Sequence, residues 1–138
     1  MHKLIFALNA LYFCLLYLYL SFKAIMSRRK AQLAFGMEGM DKYMQATVRA
    51  HANFAEYAPL MLFLLLAQML LQVNVYFMAT SAIVAALGRT IHASSLLYFE
   101  HLQKRKLRYR RRGMALTFLY ILIVPIVLLA HTLMYEFH

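Results

Sequence analysis

The stretch Arg49-Ala-His-Ala-Asn-Phe-Ala-Glu-Tyr-Ala-Pro-Leu60 combines charged and amide side chains with the start of a long apolar segment. Arg49, Asn53 and Glu56 are spaced at i, i+4 and i+7, which places them on one face of a helix. Pro59 follows on the same helix and leaves one backbone carbonyl without its usual donor. A charged group in hydrocarbon costs roughly 2.5–3.5 kcal/mol, so this face predicts a site in which the polar groups find partners.

The composition is that of a membrane protein. Of the 138 residues, 64% are hydrophobic and 14% are charged, whereas apolar residues make up roughly half of an ordinary soluble domain. The net charge of +10 would suit nucleic-acid binding, but the basic residues cluster in two short runs between apolar segments and match no nucleic-acid-binding motif. The length fits one compact unit, so we expect a single membrane domain over residues 1–138 and no nucleic-acid partner.

Four apolar segments are long enough to cross a bilayer. At 1.5 Å per residue the first spans roughly 33 Å, and no small-residue cleavage site follows it, which argues against a signal peptide. Asn9 inside this segment is expected to hydrogen-bond another helix, and Asn74 suits a tight turn between the second and third segments. The predicted fold is all-α, an up-down bundle of four transmembrane helices at about residues 4–25, 44–73, 76–99 and 113–137.

Two basic runs set the expected orientation. The first begins at Ser27-Arg-Arg-Lys30 and continues to about Tyr43, the second covers His101–Arg112, and both are predicted as loops on one side of the membrane. Apart from Lys3 and Arg89, every Lys and Arg lies in or beside these runs. The positive-inside rule places them in the cytoplasm, with both termini on the opposite side of an inner or plasma membrane. Such runs also contact the anionic headgroups of membrane lipids.

The intramembrane charges converge near the predicted cytoplasmic ends of the second and third helices. Arg89 and His92 are one turn apart in the third helix, at the depth of Arg49 and Glu56 in the second. One interpretation is a structural ion pair of Glu56 with Arg49 or Arg89. The other is a pocket in which the cations hold an anionic ligand, and the excess of Arg over Glu favours it. The planar guanidinium suits this task because it binds carboxylates through two parallel hydrogen bonds.

The same residues resemble a motif of the MAPEG family (membrane-associated proteins in eicosanoid and glutathione metabolism). The chain resembles the bacterial members of that family in particular. In the second helix the resemblance is carried by Arg49-Ala50-His51, Asn53, Glu56-Tyr57 and Pro59. Gly88-Arg89-x-x-His92 in the third helix is also similar, as is Arg111-Arg112-Gly113-Met114 with Thr117 at the entry to the fourth. The resemblance implies a homotrimer that binds glutathione, as a co-substrate, between neighbouring subunits near the cytoplasmic face.

The resemblance also implies a role for each matching residue. Glu56 would meet the amino group of glutathione and Arg49 one of its carboxylates. The residues implied to contact glutathione or support its pocket are Arg49, Asn53, Glu56, Tyr57, Arg89 and His92, with Arg28 as a further candidate. Arg111 would stabilise the thiolate, with Arg110 and Arg112 as alternatives, because a nearby cation lowers a thiol pKa and the thiolate is the nucleophile.

The implied activity is that of a glutathione transferase or a glutathione peroxidase acting on a lipophilic electrophile from the bilayer. In catalytic eukaryotic members a Tyr lies one turn beyond the third-helix His position, where this chain has Leu96, and Tyr98 lies roughly 200° further around the helix. This departure keeps open a non-catalytic lipid- or ligand-binding protein of the same fold. A third hypothesis is a small proton-coupled transporter subunit in which Glu56 is the proton relay.

No metal site or disulfide is expected. His131 and His92 lack a second ligand at helical spacing, and the lone Cys14 excludes an intrachain disulfide and a cysteine-based zinc site.

Overall fold

The computed structural model describes residues 1–99 and 107–136, and this part of the chain is a bundle of four helices. Helix α1 spans His2–Lys30, α2 Lys42–Leu70, α3 Val75–Ser94 and α4 Leu107–Glu136. A π-helical turn, Ser95–Phe99, continues α3. The prediction of an all-α bundle of four helices is confirmed.

The helices alternate in direction, as two histidines show. Nε2 of His2, at the start of α1, lies 2.6 Å from the carbonyl oxygen of Val73. Nε2 of His131, near the end of α4, lies 2.9 Å from the carbonyl oxygen of Leu71. The start of α1, the turn between α2 and α3 and the last turns of α4 therefore share one end of the bundle. The basic residues that begin α4 and end α1 share the other.

The basic runs extend the helices, contrary to the sequence prediction of loops. Ser27–Lys30 forms the last turn of α1, and residues 107–112 form the first turns of α4. Arg and Lys are good helix formers, and cations at a helix C-terminus favourably oppose the helix dipole. The rest of the second basic run, residues 101–106, lies outside the described residues.

Two polar side chains cap helices at the connections. Asp41 accepts a hydrogen bond from the backbone nitrogen of Met44 at 2.8 Å, so α2 begins two residues earlier than predicted. Asn74 accepts from the backbone nitrogens of Tyr76 and Phe77 at 3.0 and 3.3 Å. The predicted turn residue is thus also the N-cap of α3, the position that Asn and Asp favour.

The bundle holds polar contacts between helices away from the basic end. Asn9 donates its amide to the carbonyl of Ala82 at 3.1 Å, which is the interhelical bond expected from the sequence. Ser81 donates its hydroxyl to Oε1 of Gln68 at 2.9 Å, and Tyr120 donates to the carbonyl of Met61 at 2.9 Å. Each bond joins two different helices and fixes how they lie along one another.

Three helices, α1, α2 and α4, are long and apolar enough to cross a membrane. Helix α3 packs against all three. The hydropathy of α3 is lowered by Arg89, Thr90 and His92. The helix nevertheless runs from one end of the bundle to the other. Of these three residues, Arg89 and His92 are buried inside the bundle, and Thr90 is half-buried.

Candidate functional site

Arg89 lies at the centre of the candidate site and is fully buried. Its Nη2 donates to Oδ1 of Asn53 in α2 at 2.7 Å, and its Nη1 donates to Oγ1 of Thr117 in α4 at 3.5 Å. Thr117 donates its own proton to the carbonyl of Gly113 at 3.0 Å. One guanidinium therefore joins three helices, through bonds that the charge of the donor strengthens.

Two aromatic rings of α2 flank this guanidinium. Its Cζ atom lies 5.3 Å from the ring centroid of Tyr57 and 5.7 Å from that of Phe54. A ring face attracts a cation within about 6 Å. Within the described ranges Arg89 has no carboxylate at ion-pair distance. The amide, the hydroxyl and the two rings contact it directly, and Glu56 attracts its charge from further away.

The backbones of α3 and α4 touch at two glycines. A Cβ atom built on Gly113 would lie 2.6 Å from the backbone nitrogen of His92 and 2.9 Å from the carbonyl oxygen of Gly88. One built on Gly88 would lie 3.2 Å from the backbone nitrogen of Thr117. Only a residue without a side chain fits at position 113, and this crossing fixes the basic start of α4 against α3.

Three buried polar atoms belong to residues spaced three apart along α3 and the π-helical turn that continues it. They are Nε of Arg89, Nδ1 of His92 and Oγ of Ser95, and none has a hydrogen-bond partner among the described residues. His92 is 1% exposed and Ser95 fully buried. Buried polar groups are nearly always hydrogen-bonded, so this side of α3 has unused capacity for a polar ligand or water.

Arg49 and Glu56 are exposed, whereas Asn53 and Tyr57 face the interior. Neither Arg49 nor Glu56 forms a hydrogen bond or ion pair through its side chain within the part of the chain that the structure describes. Among these residues Glu56 forms neither of the ion pairs considered for it, with Arg49 or with Arg89, and Arg89 instead bonds Asn53.

The exposed face of α2 continues at seven-residue intervals, with Lys42, Arg49, Glu56, Phe63 and Leu70 all exposed. Charged side chains on a membrane helix are costly against lipid. The part of this face that carries Arg49 and Glu56 is therefore suited to water, a ligand or another protein chain.

A groove at the start of α4 contains Arg110 and Arg111. It has a volume of about 640 Å³ and is floored by Met114, Ala115 and Phe118. The ring of Phe118 lies 6.0 Å from that of Tyr57, between centroids. Tyr57 thus contacts the buried Arg89 on one side and the floor of the basic groove on the other.

Arg28 and His51 have structural contacts of their own. Nη1 of Arg28 donates to the carbonyls of Ala34 and Gly36, at 3.5 and 3.2 Å. The ring of His51 packs against Tyr17 of α1, with centroids 5.2 Å apart. Arg28, in the last turn of α1, therefore bonds the loop that follows the helix, and the structure does not bring it into contact with Arg89 or Asn53.

Leu96 is buried in the bundle and Tyr98 is exposed. The hydroxyl of Tyr98 forms a hydrogen bond with that of Tyr19 in α1. Leu96 and Tyr98 both lie in the π-helical turn, which holds about one residue per turn more than an α-helix. Such turns are frequent at functional sites. Leu96, four residues after His92, is therefore a packing residue in this chain.

Sequence reasoning did not identify Phe54 or Phe118 as parts of the site. Phe54 directly follows Asn53 within residues 49–60, and this position could have indicated that it belongs to the site. Phe118 follows Thr117 and contacts Tyr57 only because α2 and α4 lie side by side. No spacing in the sequence indicates that contact.

An all-α bundle with apolar outer helices and a buried guanidinium network defines a small polytopic membrane protein. A family model described as the MAPEG family matches residues 6–131. The chain is also 30% identical over 118 residues to the inner membrane protein YecN of Escherichia coli K12, covering 86% of this chain and 85% of that protein. YecN from E. coli O6:H1 (strain CFT073) matches to the same extent. The chain belongs to the MAPEG family, and it is a membrane protein of that family.

Proposed function

We propose that this protein is a membrane-bound, glutathione-dependent transferase or peroxidase that activates the glutathione thiol against a lipophilic electrophile. The proposal rests on two charged side chains of α2 that form no hydrogen bond or ion pair among the described residues. Arg49 and Glu56 are exposed on one face of a membrane helix, and directly beside them Asn53 and Tyr57 are held by the buried Arg89. Glutathione, with two carboxylates and one ammonium group, complements this face.

Each residue has a distinct part in the proposed binding. Arg49 binds a carboxylate of glutathione through its planar fork, and Glu56 accepts from the ammonium group. Arg89 acts indirectly, because its bond to Asn53 and its contact with Tyr57 fix both side chains. Arg28, whose guanidinium is already bonded to loop carbonyls, remains a weaker candidate for a second carboxylate.

Arg111 is the proposed catalytic group. A guanidinium beside the glutathione sulfur lowers the thiol pKa and stabilises the thiolate. In a transferase the thiolate attacks an electrophilic carbon, a C–S bond forms, and the leaving group departs or a ring opens and takes a proton. In a peroxidase it attacks a peroxide oxygen, releasing an alcohol, and a second glutathione converts the sulfenic acid to the disulfide and water.

The proposal includes a homotrimer with the basic end in the cytoplasm. Within one chain the exposed face of α2 and the groove at Arg111 leave both sets of charges open to the surroundings. A neighbouring subunit would cover the charged face and close the pocket around the bound tripeptide. The positive-inside rule assigns the basic end to the cytoplasm, where glutathione is abundant.

Ligand-induced stabilisation tests the binding part. We expect millimolar glutathione to raise the melting temperature of the detergent-purified protein and Arg49→Ala to abolish the rise. A ligand that binds only the folded state stabilises it by about 2.7 kcal/mol at a hundredfold excess over Kd. Arg108→Ala, which also removes an exposed Arg, is the matched control and should keep the rise. A folded wild type with no shift would refute the glutathione site.

A non-catalytic binding protein is the second candidate, and the buried Leu96 favours it. Arg111→Gln separates the two functions. In an enzyme this variant keeps the stabilisation by glutathione but loses the thiolate absorbance near 240 nm and the turnover of a reactive aryl halide or hydroperoxide. A wild type that binds glutathione without forming thiolate or turning over any such electrophile would support the binding protein.

A further inference from the structure

One face of α1 is exposed along its whole length and ends in an arginine. Its apolar members are spaced by three and four residues and are 48–71% exposed, and they include Leu8, Leu11, Leu15, Leu18, Phe22 and Ile25. Arg29 is the next position of the same series, four residues after Ile25. Because α1 is apolar enough to cross a membrane, this is a face for lipid chains with a cation at its end.

The length of α1 places that cation at headgroup level. Its 29 residues extend about 43 Å, whereas the hydrocarbon core of a bilayer is about 30 Å thick. The last turns of α1, with Arg28, Arg29 and Lys30, therefore reach the polar layer of the membrane when the apolar turns fill the core.

A groove lies at this end of the helix. It has a volume of about 350 Å³ and is lined by Ile25, Arg28, Arg29, Gln32, Leu33 and Ala34. Arg28 builds its wall, because it donates to the carbonyls of Ala34 and Gly36 and holds the loop against the helix. Those acceptors are neutral. Among residues 1–99 and 107–136 neither Arg28 nor Arg29 forms an ion pair, so the groove keeps two positive charges.

We propose that this groove binds the phosphate of an anionic phospholipid, with an acyl chain lying along the exposed face of α1. Two guanidiniums and the Gln32 amide are donors that match phosphate oxygens. Ile25 and Leu33 supply apolar contact where the glycerol joins the chain. Phe35, three residues after Gln32, is 85% exposed, and its apolar ring suits insertion at the boundary between headgroups and acyl chains. The groove shares Arg28 with the candidates for glutathione binding, whereas Arg29 has no part in the glutathione proposal and therefore distinguishes the two.

Native mass spectrometry of the protein, released from dodecyl maltoside micelles containing phosphatidylglycerol or phosphatidylcholine, tests the proposal. We expect the wild type to retain one phosphatidylglycerol per chain in preference to phosphatidylcholine. Arg29→Gln should weaken retention about fivefold, the factor expected for one basic residue near an anionic surface. Arg108→Gln is the matched control, because it removes an exposed charge at the same end of the bundle but outside the groove.

Two further measurements distinguish the binding of a lipid from the binding of a free anion and from nonspecific electrostatic attraction. Ile25→Ser should weaken phosphatidylglycerol retention without any change in charge, since it removes the acyl contact beside the phosphate. Inorganic phosphate at the same concentration should not displace the lipid. Equal losses in Arg29→Gln and Arg108→Gln, unchanged retention in Arg29→Gln, or full displacement by inorganic phosphate would each overturn the proposal.

Discussion

Arg89 is a buried cation held by an amide, a hydroxyl and two aromatic rings. A guanidinium can reach Asn53 and Thr117 at once because its donors fan out in one plane, whereas an ammonium group presents a single point charge. The free-energy cost of burying this charge in the membrane is lowest when the neighbouring polar and aromatic groups are held in place. The residue therefore stabilises the fold and orients the α2 motif by the same contacts.

We predict that Arg89→Lys lowers the free energy of unfolding by about 2 kcal/mol, the scale of a hydrogen bond to a charged group. The loss arises because Lys cannot bond Asn53 and Thr117 together while stacking on Tyr57. The measurement is unfolding in mixed micelles followed by circular dichroism. Arg112→Lys, at an exposed position, is the control and should stay within about 0.5 kcal/mol. Equal stability of Arg89→Lys and wild type would show that charge alone suffices.

The sequence identified Arg89, Asn53, Tyr57 and Thr117 as site residues, but it identified neither Phe54 nor the bonds within the network. Helical spacing placed Arg49, Asn53 and Glu56 on one face, and the cost of charge in hydrocarbon marked that face as a site. It did not tell that Asn53 turns inward to Arg89 while Glu56 stays exposed. That division depends on where α3 lies against α2, and spacing along one helix contains no information about it.

At the scale of helices, the crossing of α3 and α4 sets the geometry of the basic groove. The two backbones approach until Gly113 has no room for a Cβ atom beside His92 and Gly88. Any increase in this distance moves the start of α4, which carries Arg110 and Arg111, relative to α3. The close approach thus links helix packing to the placement of the proposed catalytic group.

We predict that Gly113→Ala destabilises the bundle by about 1–3 kcal/mol, the usual range for overpacking. The new Cβ would lie 2.6 Å from a backbone nitrogen, which cannot yield as a side chain can. Gly88→Ala is the matched comparison, because its nearest contacts are 3.1–3.3 Å and Ala favours helix by about 1 kcal/mol. Thermal unfolding of both variants should show a clearly larger loss for Gly113→Ala. The reverse order would refute this description of the crossing.

A second prediction concerns the start of α3. Asn74 accepts from two backbone nitrogens, and Asn74→Ala leaves both donors without this partner. We expect a loss of about 1 kcal/mol in unfolding free energy. Asn74→Ser retains a capping oxygen and should lose less than half as much in the same thermal assay. A similar loss in both variants would mean that the turn, rather than the cap, requires Asn.

The helix number was predictable, whereas the helix ends were not. Four apolar segments of membrane length decided the architecture, and Asn74 marked one turn. The basic runs were predicted as loops, but Arg and Lys sustain a helix wherever water or headgroups hydrate their side chains. The sequence therefore indicated where charge lies relative to the membrane better than it indicated where each helix stops.

The two ends of the whole molecule are built differently. At one end His2 and His131 hydrogen-bond the carbonyl oxygens of Val73 and Leu71, just after the end of α2. These bonds join α1 and α4 to α2. At the other end lie the arginines of α1 and α4, with the glutathione pocket proposed above. His131 looked merely isolated in the sequence, since its partner is a backbone carbonyl, which every residue possesses.

This asymmetry predicts a single orientation in the membrane, with the basic end in the cytoplasm. In a Cys14→Ser background, Glu38→Cys reports on the loop after α1 and Gln72→Cys on the turn after α2, and both positions are exposed. We expect a membrane-impermeant maleimide to label Gln72→Cys in intact spheroplasts, and Glu38→Cys only after permeabilisation. Labelling of both after permeabilisation is the control for thiol access. Labelling of Glu38→Cys in intact spheroplasts would reverse the orientation and remove the proposed pocket from the cytoplasmic glutathione pool.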